Sequence, residues 1–204
     1  MTLAVPDLSD QESVQEELFK FVWGFKHGDN IMYNFQVLQA LYTAEKSVGP
    51  GAILNKPITI QLVSIIEAIL IDFLTRIDQA TNHLPDNVDR DALNRLKQEI
   101  ERKKRPDKIH DAFGEHIYFR RKLYQFKEII DLLRNYELFG KHDDPIYDKL
   151  VSFGYLRNRV HIENYHQNFE DRENAVFTNK RLTDLENILG VLWSKMLNEY
   201  RRPW

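Results

Sequence analysis

The sequence predicts an all-α fold, a single-domain bundle of about seven helices spanning 1–204, on three observations. Apolar residues recur at three- and four-residue spacing through most of the chain. Glycine and proline are scarce, at 8 and 7 in 204 residues. One stretch, 58–77, is apolar on nearly every side. The first is the period of a helix face. The second disfavours the many tight turns of an all-β chain. The third marks the helix around which the others gather. A hydrophobic share of 43% and a charged share of 29% suit a folded globular chain, and the length suits one domain with a sizeable core.

In chain order, Val14, Leu18, Phe21, Val22 and Phe25 put one apolar face on a helix over 11–25. Gly24 and His27-Gly28-Asp29-Asn30 end it, with Gly28 suited to a left-handed cap. Ile31, Phe35, Leu38, Leu41 and Tyr42 line the next helix, over 31–44, and 11–44 could stand as an accessory hairpin. Val48-Gly49-Pro50-Gly51 is a turn. Pro57 fits the first position of the core helix, where its missing N–H costs nothing. Gln61, Ser64, Glu67 and Asp72 interrupt that helix, so no run reaches the ~18 apolar residues of a membrane span and no membrane is expected. Glu67 is the costliest of the four to bury without a partner.

Asn87 caps a charged helix over 88–104, which Pro106 ends. A long amphipathic helix over 117–139 runs through Leu123, Phe126, Ile129, Ile130, Leu132 and Leu133 to Gly140. Asp144-Pro145 is a cap followed by proline in the first turn, opening a helix that continues through Tyr155 to His166. Residues 167–178 are polar and irregular, and 179–200 form a last amphipathic helix.

The chain has no cysteine, which excludes disulfides, thiolate zinc sites and cysteine nucleophiles and fits a reducing cytoplasm. The N-terminus has neither the basic nor the apolar segment of a secretory signal. Net charge is only −3, yet 95–127 holds eleven Lys or Arg against five Asp or Glu, an excess of six that leaves −9 elsewhere. Arg102, Lys103, Lys104, Arg105, Arg120, Arg121 and Lys122 could thus form a basic face for RNA. The solvated flanks of a helical hairpin would give the same count.

The densest chemistry lies in Tyr-Leu-Arg-Asn-Arg-Val-His-Ile-Glu-Asn-Tyr-His, 155–166. On a helical wheel Ile146, Leu150 and Phe153 fall within about 40° of Arg157, and His161 follows at about +40°. Arg159 and His166 fall on the opposite face, with Asp148. An arginine in an apolar stripe needs a carboxylate or an open cleft, and Glu67 on the core helix is the carboxylate expected to hold and orient it. A histidine near neutral pKa can take a proton from a ribose 2′-hydroxyl, and a neighbouring guanidinium can hold the phosphate. That chemistry cleaves RNA without a metal and leaves a 2′,3′-cyclic phosphate. Packing of the same pair between helices is the structural alternative.

Leu156-Arg157-Asn158-Arg159-Val160-His161, late in an all-α chain, resembles the HEPN superfamily (higher eukaryote and prokaryote nucleotide-binding domains). The family motif is Arg, four to six residues, then His, with a polar residue often following the Arg. The resemblance implies a metal-independent endoribonuclease of toxin–antitoxin or defence systems, a homodimer with one composite cleft, and an antitoxin partner. It gives catalytic roles to Arg157, Asn158 and His161, although His161 follows after only three residues. Arg159 and His166 obey the spacing and are the second choice. The position two after His161 is Glu163, where some members carry a modified Tyr.

No cofactor and no metal are expected. Glu163-Asn-Tyr-His166 is a single Glu-x-x-His unit, and di-iron bundles need two with further glutamates. No Walker loop, Gly-x-Ser-x-Gly or Gly-x-Gly-x-x-Gly occurs.

Overall fold

The computed structural model describes residues 8, 10–22, 25–48, 52–79, 90–103, 105–110, 117–122, 125–159 and 173–201. They form α1 (Gln11–Leu18), α2 (Phe25–Val48), α3 (Asn55–Gln79), α4 (Arg90–Lys103), β1 (Arg105–His110), β2 (Ile117–Lys122), α5 (Phe126–Asn135), α6 (Pro145–Asn158), α7 (Glu173–Val176) and α8 (Asn179–Asn198). The architecture is the all-α bundle that the sequence predicts. A two-stranded antiparallel ribbon, β1 with β2, is added between α4 and α5.

The centre is α3, which packs against α2, α4, α5, α6 and α8. Ile58, Ile66, Leu70, Phe73 and Leu74 are completely buried along it. Each such side chain contributes ~1.5–3 kcal/mol by leaving water. The helix is long and apolar enough to cross a membrane, but most of that stretch is covered by its neighbours in this bundle. Pro57 falls in its first turn, two residues inside the start, still among the N–H groups that lack an intrahelical acceptor. At the other side of the core, Trp193 of α8 takes Phe21 and Phe35 edge-on, at ring-centroid distances of 4.9 and 5.6 Å. Its indole N–H donates to Glu17 at 2.6 Å, so the ring's polar edge is satisfied.

Three sequence expectations change. Gly28 does not cap a helix; it lies inside α2. A Cβ there would come within 2.8 Å of the Phe19 ring, so the glycine allows a close approach between chain segments. Second, 117–139 is not one helix. Residues 117–122 pair with β1, and α5 begins only at Phe126. Ile117, Tyr118 and Phe119 are β-branched or aromatic and suit a strand. A six-residue stretch is too short for periodicity to separate the two states. The helical-hairpin reading of the basic region is corrected with it; α4 does end before Pro106, at Lys103, and Pro106 itself lies in β1. Third, α6 ends at Asn158, with Arg159 at its C-cap donating its backbone N–H to the Leu156 carbonyl. Its continuation to His166 falls in 160–172, outside the described residues.

The start of α6 is where the sequence places it, whereas α2 begins at Phe25 and not at Ile31. The Asp144 carboxylate accepts from the Ile146 N–H at 2.9 Å, with Pro145 in the first turn. Tyr147, completely buried, closes the turn between α5 and α6. Its hydroxyl accepts from the Phe139 N–H at 3.1 Å and lies 2.9 Å from the Gly140 carbonyl. Burial raises its pKa and keeps it a donor.

Candidate functional site

The last turn of α6 carries the candidate site. Ile146, Tyr147, Leu150, Phe153, Gly154 and Leu156 form the buried side of the helix. Gly154 fixes its seat. A Cβ at that position would fall 2.5 Å from the Phe126 ring, so only a glycine lets the start of α5 press against α6 there. One turn further on, Arg157 emerges at the edge of the same buried stripe.

Arg157 pairs through Nη1 with the Glu67 carboxylate of α3. This is the pairing that the wheel and the cost of burying Glu67 lead one to expect. Its Nη2 donates to the Asn158 side-chain oxygen at 3.3 Å. The two charged side chains keep 28% and 21% of their surface in water, so the pair sits at a rim, neither sealed nor free. Burial lowers the Arg157 pKa, and the guanidinium remains charged at every physiological pH. Five N–H donors serve a guanidinium. Among the described residues Glu67 and Asn158 engage one each, so an incoming anion could be met on another edge without breaking the ion pair.

The structure thus brings Glu67, Arg157 and Asn158 together. His161 and His166 lie outside the described residues, so nothing here places an imidazole beside Arg157. Arg159 is at the C-cap, partly exposed. Of the basic residues, Arg102 and Lys103 end α4, with Arg102 3.8 Å from Glu99 and its side chain 78% exposed. Lys104 lies outside the described residues. Arg105 belongs to β1, and Arg120, Arg121 and Lys122 to β2. Among the described residues, no group of three or more His, Asp or Glu could hold a metal ion.

Sequence reasoning overlooked a deeper polar cluster. Asp72 and Arg76, one turn apart on α3, are each only 3% exposed, more enclosed than Glu67. Arg76 Nη1 donates to the Phe21 carbonyl at 3.1 Å and the Tyr200 carbonyl at 2.7 Å. His27 Nδ1 lies 3.4 Å from Asp72. The signal was available: an acid and a base four apart, hence on one face, in a helix that is apolar all round.

No protein-family model, curated protein or solved structure matches the chain. The HEPN resemblance therefore rests on the residues of the motif alone.

Proposed function

We propose that the chain is a HEPN-like, metal-independent endoribonuclease whose site lies at the C-terminal end of α6. The observation that carries the reading is the rim position of Arg157, mostly covered yet charged, beside Asn158 and paired among the described residues with Glu67. A guanidinium so held can take a phosphate and stabilise the charge that develops when a 2′-hydroxyl attacks. Glu67 orients it. His161, four residues on, would move the protons: one from the 2′-hydroxyl, one to the leaving 5′-oxygen. The reading includes a homodimer with a composite cleft, an antitoxin or defence context and a cytoplasmic location.

The assay is incubation of the purified protein with RNA in EDTA, comparing wild type with His161→Ala. Cleavage by the wild type that is lost in the variant supports the reading. Equal cleavage by both removes His161 from the mechanism. Silence from both favours a second reading, which the ion pair itself supports: a non-catalytic helical interaction protein in which Glu67 and Arg157 hold α3 and α6 together. The Arg157 substitution described below tests that alternative through stability.

A further inference from the structure

The strand register brings together charges that the sequence keeps apart. Arg105 pairs with Lys122, Pro106 with Arg121, Asp107 with Arg120, Lys108 with Phe119, Ile109 with Tyr118 and His110 with Ile117. Directly opposed residues share a face of an antiparallel pair, and successive residues alternate. One face therefore carries Arg105, Lys122, Arg120 and Asp107 with Tyr118. The other carries Arg121 and Lys108 with Phe119. Each face has two net positive charges and one aromatic from the middle of β2. Arg102 and Lys103, at the end of α4, add two more cations just before the strand begins.

Cations flanking an aromatic are what a single-stranded nucleic acid needs: charge to follow the phosphates and a ring on which a base can stack. A duplex would ask for something else. The deep, narrow groove of A-form RNA does not admit a ribbon that reads bases. The ribbon is also tied to the candidate site. Lys122 is four residues before Phe126, a span of at most ~15 Å at ~3.8 Å per residue. Phe126 sits against Gly154, and Arg157 is one helical turn beyond Gly154. Whatever its tilt, the basic end of the ribbon thus stays within roughly 35 Å of the Arg157 guanidinium.

We propose that the β1–β2 ribbon is a single-stranded-RNA-binding arm that guides the strand toward the end of α6. The identity of the polymer rests on the ribonuclease reading; the binding does not require that cleavage occur. The probe is a short, unstructured, fluorescein-labelled RNA followed by anisotropy across a salt series. Wild type binds it, and the triple variant Arg120→Gln, Arg121→Gln, Lys122→Gln binds about tenfold or more weakly, with the log–log salt slope shallower by about 2, three contacts at ~0.7 each. Tyr118→Leu weakens binding several-fold and leaves the salt slope unchanged, because stacking releases no counterions.

The three single substitutions, with thermal unfolding of each, keep the test valid should the triple variant misfold. Wild-type affinity in folded ribbon variants, absence of binding by the wild type, or tighter binding of the matching RNA duplex would each overturn the proposal. Ribbon-dependent binding with no cleavage in the EDTA assay retains the arm and removes the ribonuclease. Cleavage with binding indifferent to the ribbon does the reverse.

Discussion

Two arginines meet the core helix, and they are held in different ways. Arg76 belongs to α3, is almost fully enclosed, and directs its donors at backbone carbonyls from both ends of the chain, Phe21 and Tyr200. Arg157 reaches α3 from α6, keeps a quarter of its side chain in water, and is paired with a carboxylate. The first closes the bundle: carbonyls 179 residues apart in sequence share one guanidinium. The second holds a charge where a ligand can still reach it. Burial, then, separates a structural cation from a candidate functional one, and the residue type does not.

Substituting Arg76 should have the largest effect. Arg76→Met removes the donor from two carbonyls at a site where the guanidinium is almost fully enclosed. Breaking buried charged contacts of this kind costs about 3–5 kcal/mol, so urea unfolding should show that loss and a large fall in Tm. A loss below ~1 kcal/mol would put Arg76 in the same class as a surface ion pair and break the comparison.

Gly154→Ala comes next. The new Cβ collides with the Phe126 ring, and overpacking typically costs ~1–3 kcal/mol. Because Gly154 sets the seat of α6 one turn before Arg157, its substitution should disturb the candidate site and the exit of the ribbon as well as stability. A neutral Gly154→Ala in calorimetry would mean that the two helices can separate freely, and the link between ribbon and site would weaken with it.

Smaller still is the Glu67–Arg157 pair. A partly exposed ion pair lies between the ~0–1 kcal/mol of surface pairs and the ~3–5 of buried ones, so Arg157→Met should cost about 1–2 kcal/mol. With Glu67→Gln, a double-mutant cycle isolates a coupling of about 1 kcal/mol. A loss as large as that of Arg76→Met would favour the scaffold reading of Arg157. A negligible coupling would mean that Glu67 matters little for holding the guanidinium.

Much of this was legible in the residues, and the part that was not has a physical cause. The apolar circumference of 58–77 identifies α3, and Asp144-Pro145 identifies the start of α6, because both signals are local. Glu67 as partner of Arg157 followed from cost: a carboxylate in an apolar helix and a guanidinium in an apolar stripe each need the other. The ribbon was missed because Ile117-Tyr118-Phe119 fits a helix start as well as a strand, and only pairing with β1, a non-local event, decides between them. Asp72 and Arg76 were passed over because sequence ranks polar interruptions of a helix by type, whereas depth of burial depends on what packs over them. The end of α6 at Asn158 matters most for the site. A wheel extends a helix indefinitely, and the juxtaposition of Arg157 with His161 was read from that extension.

A carboxylate gives the comparison its smallest and most selective test. Glu186 on α8 is partly buried like Glu67, but its hydrogen-bonding partner is the Tyr42 hydroxyl and not a guanidinium. Burial raises the Glu186 pKa; the Tyr42 hydrogen bond opposes this, and the charge of Glu45 adds to it. The folded state thus holds the Glu186 proton more tightly than the unfolded chain does. Stability linked to this group is present at low pH and is lost as pH rises from the ordinary carboxyl range through the raised folded value. That sign is the opposite of the usual salt-bridged acid. Glu186→Gln keeps an acceptor for Tyr42 and cannot ionise. The difference in stability between variant and wild type should therefore grow in favour of the variant as pH climbs from 4 to 7, by less than ~1 kcal/mol for a partly exposed group. A difference that instead shrinks over that range would mean that the Tyr42 hydrogen bond outweighs burial at Glu186, and that a hydroxyl can hold a partly buried carboxylate charged without a guanidinium beside it.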